Sequence, residues 1–310
     1  MDYELTGALE GLRRVALEDI QTYKRGLDQT TRICWQQFFP FLYFYYCMNG
    51  TEDLLIEEID GSVCVFRLDH KSEKPSLSLY FLPMPMNENV LRHCLERVRT
   101  FNNGNRVTIY WVDAEDIGLL GGLWEQLRVY PMNKEYIYDP KIYRALSGKK
   151  TRDLRHNLNR IAAREDVEVR PFENGDIAAC LALMDEWADQ QRGKYEHISY
   201  RRYTKNCVRH SSLFGKPDLF GKVVLVGGKI RSFGFAGEIR RGLANLFITY
   251  SDLAINGLNR FLIYHFMLDL ESCDLVNSAM ADTPGLIAAK DSLCPVAMHG
   301  VYRVHVGESR

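Results

Sequence analysis

Apolar and polar positions run through the 310-residue chain in two similar passages. In the second passage Ile177, Cys180, Leu181, Met184, Trp187 and Ala188 recur at helical spacing. That predicts a helix over 174–191 with one buried stripe. KVVLVGGKI (222–230) predicts a strand, a Gly-Gly turn and a second strand reaching Phe235; LFITY (246–250) predicts a third. Gly257 opens the apolar helical run LNRFLIYHFMLDL, and a short strand at 275–276 ends at Asn277. Thr283 suits a cap and Pro284 a first helical position for a helix reaching Leu293, and 301–306 closes with a strand. The first passage has the same order. A short helix spans 17–27, LLIEEI (54–59) turns at Asp60-Gly61 into 63–68, and a third strand spans 77–82. A helix over 89–101, a strand at 107–112, a helix over 114–126 and a closing segment at 128–138 follow. LLIEEIDGSVCVF lies over VVLVGGKIRSFGF at an offset of about 169 residues, a match of pattern and not of residue identity.

A helix between the third strand and the next must cross back, which sets that strand parallel to its neighbour. Open mixed sheets hold ligands outside the ends of such a pair. The order helix, antiparallel strands, helix, strand, helix, strand is similar to that of the GCN5-related N-acetyltransferase fold. The expected class is therefore α/β: two tandem acetyltransferase-like lobes, each a mixed, mostly antiparallel sheet flanked by helices. Residues 1–140 are expected to form the N-terminal lobe, and residues 141–310 a basic connecting helix and the C-terminal lobe that carries the active site.

Composition narrows the class. A hydrophobic fraction of 46% and a charged fraction of 25% exclude a largely disordered chain. A net charge of −1 excludes a general polyanion binder, but the charge is segregated. Residues 141–164 hold eight basic side chains against Asp153, and 201–222 hold six against Asp218. Within TRDLRHNLNRIAAR, Leu154, Leu158 and Ile161 form an apolar stripe while Arg152, Arg155 and Asn159 project from another face. Guanidinium groups so displayed suit phosphates; a plain solvated face is the alternative. The eight cysteines contain no C-x-x-C pair and sit in apolar segments, as buried thiols do. The longest apolar stretch, FFPFLYFYYCM (38–48), is far short of the ~20 residues that span a bilayer. It is expected to be buried, with peripheral membrane contact the alternative. No basic-then-apolar leader opens the sequence, so the expected compartment is the cytoplasm.

Tyr138-Asp139, then LSGKKTRDLRHNLNR, then VNSAMADTPGLIAAKDSLCP resemble the phosphatidylglycerol lysyltransferase C-terminal domain family. The run Lys149-Lys150…Arg155…Asn157…Asn159 is its most specific part; Asn277, Asp282, Gly285-Leu286 and Lys290 form the second. LRRVALEDIQTYKRGL adds a weaker N-terminal match. The resemblance implies a tandem acetyltransferase fold. It also implies transfer of an aminoacyl group from aminoacyl-tRNA to an amine or hydroxyl of a lipid or small molecule. Since the sequence contains no transmembrane domain, a small-molecule acceptor is expected, with a phosphatidylglycerol-type lipid as the alternative.

The residues themselves bear on the donor. An acetyl-CoA enzyme of this fold needs a Gly-rich loop whose backbone N–H groups hold pyrophosphate at a helix N-terminus. The corresponding stretch, 252–260, has one glycine, and its first-lobe counterpart, PMPMN (83–87), has two prolines. No cofactor is therefore expected, and a CoA-dependent N-acyltransferase is the alternative. Acyl transfer from an ester needs proton removal from the acceptor and a place for the oxyanion. Asp252 follows the third strand where the cleft should open, Glu238 ends the preceding strand, and Tyr250 and Asn277 offer hydrogen bonds. These four are the candidate catalytic residues. Lys290, Asp282 and Trp187 are expected to bind substrate, and Lys149, Lys150, Arg152, Arg155 and Asn159 RNA phosphates. No metal-ligand spacing, nucleophile elbow or Walker loop occurs, so direct transfer without a covalent enzyme intermediate is expected. A non-catalytic binding protein of the same fold is the remaining reading.

Overall fold

The computed structural model describes residues 7–48, 50, 52–71, 74–104, 107–124, 126–191 and 201–307. The chain forms two compact units. One holds Met1–Lys134 with His299–Arg310, the other Glu135–Met298.

The first unit runs β1 (Arg13–Arg14), α1 (Ile20–Leu27), α2 (Phe39–Leu42), β2 (Glu52–Ile59), β3 (Ser62–Asp69), β4 (Ser76–Leu79), α3 (Glu88–Phe101), β5 (Val107–Asp113) and α4 (Ala114–Leu123). Strand β6 (Leu127–Tyr138) leads out of it. Strands β1 to β4 pair antiparallel in order, and β4 pairs parallel with β5 at Leu79↔Ile109. The Asp60-Gly61 turn has φ of 48° and 75°, the doubly positive geometry that matches strand twist in a two-residue hairpin. Helix α3 buries Val90, Leu91, Cys94, Leu95 and Val98 against this sheet. The aromatic segment is helical: α2 continues into a π-helical turn over Tyr43–Cys47. Phe38, Phe39, Phe41, Phe44 and Tyr46 are buried, and Tyr46 shares a 2.9 Å hydrogen bond with the Tyr80 hydroxyl. All eight cysteines are free; seven are buried and Cys47 is exposed.

The second unit adds α5 (Lys141–Ala145), α6 (Arg152–Ala162), β7 (Val167–Pro171), α7 (Ile177–Gln191), α8 (Arg201–His210), β8 (Phe220–Val226), β9 (Lys229–Arg240), β10 (Leu243–Ser251), α9 (Leu258–Asp269), β11 (Leu275–Met280) and α10 (Pro284–Asp291). The chain ends with β12 (Ala297–Val306). Strands β7 to β10 are antiparallel in order, β10 and β11 are parallel, and β11 pairs antiparallel with β6. Helix α9 is apolar nearly all round and buries Leu258, Phe261, Leu262, Ile263, Phe266 and Met267. The α6 stripe Leu154, Leu158 and Ile161 joins the same core, together with Ala236, Ala244 and Leu246 of the sheet. Phe233 and Phe235 alternate with Ala236 and so point to the opposite face, where Phe233 stacks on Tyr250 at 5.5 Å and Trp187 of α7 meets Tyr250 edge-on at 5.4 Å.

Both passages thus show the expected order of elements, but the units are not divided by one cut near residue 140. Residues 135–138 of β6 pair within the second unit, and residues 301–306 of β12 pair with β5 in the first. Apolar periodicity reports that a closing strand is buried, not which sheet it completes. The expected order of elements does not include strands β1 and β7 or helix α8.

Among the described residues no helix is long and apolar enough to cross a membrane.

Candidate functional site

Strands β10 and β11 share only three register pairs: Leu243↔Leu275, Ala244↔Val276 and Asn245↔Asn277. A register irregularity between Leu246 and Ile248 then bends β10. Strand β11 is irregular too, since its pairing with β6 steps from Asn277↔Ile137 to Met280↔Glu135. Ala279 lies inside this bulge with φ of 56°, in the left-handed region that an L side chain rarely adopts. The Asn277 side chain braces it. Its Oδ1 accepts the Ala279 N–H at 2.9 Å, and its Nδ2 donates to Glu135 Oε2 at 2.7 Å.

The bulge turns two carbonyls toward Lys290. Its Nζ donates to the Ser278 oxygen and, at 3.1 Å, to the Ala279 oxygen, and it lies 5.5 Å from the centre of the Tyr136 ring. Helix α10 holds the lysine in place. Thr283 caps its start by accepting the Leu286 N–H at 3.3 Å, and Tyr138 donates to the Lys290 carbonyl at 3.0 Å. Lys290 is only 9% exposed, while Glu135 and Asn277 are fully buried. Burial pushes the Lys290 ammonium down to about 7, and the charges of Glu135 and Asp282 pull the other way. The site therefore holds a cation that is only half charged near neutrality, beside a buried carboxylate and amide. Such an arrangement can stabilise a developing oxyanion or pass a proton.

The predicted catalytic residues do not assemble as expected. Asn277 and Lys290 meet at the bulge. Asp252 is seven residues beyond Asn245 along the chain, roughly 20 Å at the rise of a strand. Its Oδ1 accepts the Ala254 N–H at 2.9 Å and its Oδ2 lies 3.3 Å from Arg231, so it braces a turn. Glu238 is half-buried opposite Ala244, at the start of β10, while Asp252 follows the end of that strand. The two carboxylates are at opposite ends of one hairpin because β9 runs antiparallel to β10. Gly237 lets residues 217–219 lie against β9: a Cβ there would be 2.0 Å from the Asp218 oxygen, and Glu238 N–H binds the Pro217 oxygen at 2.8 Å. Tyr250 is buried, packed between Phe233 and Trp187, with its hydroxyl 3.4 Å from that of Thr204. Trp187 is half-buried in that packing, and Asp282 is exposed at the loop before α10.

The basic residues divide as well. Lys149, Arg152 and Asn159 are exposed, and neither Lys149 nor Arg152 makes an ion pair among the described residues. Arg155 turns inward and donates to the Leu146 oxygen, the Gly148 oxygen at 3.0 Å and Thr151 Oγ1 at 2.8 Å. Lys150 donates to the Pro295 oxygen at 3.3 Å. Lys141 and Arg144 pair with Asp274 and Glu271 at 3.0 and 3.2 Å. Several amides before α9 are engaged: that of Asp252 binds the Arg231 oxygen of β9, those of Ala254 and Ile255 bind Asp252 oxygens, and that of Leu258 binds the Ile255 oxygen. Arg160 of α6 also donates to the Asn256 oxygen at 2.8 Å. A groove of about 450 Å³ between α7 and the β8–β9 turn contains none of the predicted site residues. Among the described residues no cluster of three His, Cys, Asp or Glu is arranged to hold a metal.

Sequence reasoning missed Glu135, Asn245 and the Ala279 bulge. Glu135 had no local signal, since it stands 142 residues from its partner Asn277 in a strand that read as the end of the first lobe.

Comparison with known proteins adds the family context. The sequence profile of the family described as "Phosphatidylglycerol lysyltransferase, C-terminal" matches residues 45–304. No curated protein matches the sequence. Among solved structures, a conserved protein of unknown function from Bacteroides thetaiotaomicron VPI-5482 aligns with a TM-score of 0.80 and 22% identity, over 96% of this chain and 99% of that one. L-PGS from Bacillus licheniformis aligns with a TM-score of 0.63 and 17% identity, over 94% and 92%. FemX aligns with a TM-score of 0.68 and 9% identity, over 94% and 96%. The fold is that of tandem GCN5-related acetyltransferases.

Proposed function

The chain belongs to the phosphatidylglycerol lysyltransferase C-terminal family, and from that premise we propose that it transfers an aminoacyl group from aminoacyl-tRNA to an amine or hydroxyl of a small-molecule acceptor. The observation that carries the reading is Lys290, a buried ammonium tied to two carbonyls where β10 and β11 part. An ammonium has three N–H donors, so one remains for a substrate oxygen. In the reaction the acceptor nitrogen or oxygen attacks the ester carbonyl of the donor. The carbonyl oxygen gains negative charge opposite Lys290, the bond to the tRNA ribose oxygen breaks, and the acceptor's proton passes to that oxygen. A preorganised cation in a water-poor site lowers the energy of the charged intermediate more than water does. Lys149, Arg152 and Asn159 are the side chains of the basic stretch left for RNA phosphates. The single glycine of the stretch 252–260, where a pyrophosphate-binding loop has two small positions, supports this donor over CoA.

The test incubates the protein with radiolabelled aminoacyl-tRNAs, each in turn, and a panel of small amines and alcohols. Label should move from RNA to acceptor, and Lys290→Ala should stop it. Saturable CoA binding with no loss of label from any charged tRNA would replace this reading with acyl-CoA chemistry. Transfer only to phosphatidylglycerol vesicles would replace the acceptor class.

A further inference from the structure

We propose that Glu135 is a positioning residue for Lys290, acting through Asn277 and the left-handed Ala279. The inference rests on the transfer reading above for the task of the lysine, while the geometry stands without it. Four groups form a continuous chain. Glu135 Oε2 accepts from Asn277 Nδ2 at 2.7 Å, Asn277 Oδ1 accepts from the Ala279 N–H at 2.9 Å, and the Ala279 oxygen accepts from Lys290 Nζ at 3.1 Å. An alanine rarely holds φ of 56° without support, and the Asn277 side chain is the support. That side chain is itself fixed, because Glu135 holds its other end. Losing the carboxylate frees the asparagine, relaxes the bulge and turns the Ser278 and Ala279 carbonyls from the ammonium.

Glu135 also acts by charge. The groups facing Lys290 are Glu135 and Tyr136 from β6, Asp282 from the loop before α10, and the two carbonyls of β11. Asp282 is exposed and screened by water, whereas Glu135 is fully buried and opposes the desolvation of the ammonium. One residue therefore both holds the seat of the lysine and raises the pH at which it loses its proton, against the opposite pull of burial.

The test needs no substrate in its first arm. With carbon-13 lysine in the full chain, the Lys290 side-chain signal is followed against pH. Glu135→Gln keeps an acceptor for Asn277 but removes the charge, so the midpoint should fall by about one unit or more, and Asp282→Asn should move it less. An unmoved midpoint in Glu135→Gln overturns the proposal. In the second arm Asn277→Ala should slow transfer about tenfold or more, and adding Ala279→Gly should restore most of the rate, since glycine takes positive φ unaided. Full activity in the single variant, or no recovery in a folded double variant, also overturns it. If Asn277→Ala does not fold, Glu135→Ala decides, since it removes the acceptor for Asn277 as well as the charge: a transfer rate and Lys290 midpoint equal to those of Glu135→Gln overturn the proposal. A shifted midpoint in a protein that moves no label from tRNA would remove the transfer reading and leave the effect of Glu135 on the Lys290 charge standing. A transferring protein with an unmoved midpoint would do the reverse.

Discussion

Asn245 and Asn277 face each other across β10 and β11, both fully buried, at the last register pair before the strands part. Beyond that pair the backbone has no ladder partner in the parallel direction, and side chains take over the hydrogen bonding. Asn277, Glu135 and Lys290 do so, and the strongest consequences of substitution are expected around them.

Lys290→Ala should reduce transfer by roughly 100-fold or more, the usual effect of deleting a group that stabilises an oxyanion. In the unmodified protein the lysine-dependent rate should fall as pH rises through about 7, because burial makes the ammonium lose its proton there. Lys290→Arg remains charged at every working pH, so whatever rate it retains should lack that limb. A pH–rate profile of the two proteins checks this.

Folding stability carries the same signature. The folded-state value of Lys290, about 7, lies below the ordinary 10.5, so between these values the unfolded chain binds the extra proton. Stability contributed by this group therefore rises with pH across that window and is flat below it. In Lys290→Met that rise should disappear from a urea-unfolding series run at several pH values.

Asp252→Asn should leave transfer within about twofold, since asparagine still accepts the Ala254 N–H and only the partly exposed pair with Arg231 is lost. Steady-state rates with charged tRNA measure it. A loss of orders of magnitude would return the base role to Asp252.

The basic stretch should separate into two behaviours. Lys149→Ala and Arg152→Ala should weaken tRNA binding and each lower the salt dependence of affinity by about one phosphate contact. Arg155→Ala should instead lower stability by about 1–2 kcal/mol, because it removes hydrogen bonds that hold the loop over 146–151. Filter binding at several salt concentrations and thermal unfolding distinguish the two.

Leu158→Ala should destabilise the second unit by about 2–4 kcal/mol, since the side chain is 4% exposed in the core shared by α6 and α9. The urea midpoint should fall with its slope unchanged.

Local chemistry was legible in the amino-acid order wherever a residue's neighbours in sequence are also its neighbours in space. The Asp60-Gly61 and Gly227-Gly228 turns, the α6 stripe, the Thr283-Pro284 start of α10 and the repeated order of elements were all readable, because backbone sterics and apolar spacing act over a few residues. Lys290 and Asn277 were also named from the sequence, through the family resemblance. Tertiary structure alone decided that Glu135 joins them, that Asp252 braces the turn before α9 and pairs with Arg231, that Arg155 turns inward, and that residues 301–306 complete the sheet of the first unit. The physical reason is that burial and charge depend on what packs from distant parts of the chain. A carboxylate 142 residues from its partner leaves no mark on local spacing, yet in a dry interior it shapes both the backbone and the proton affinity of the lysine beside it.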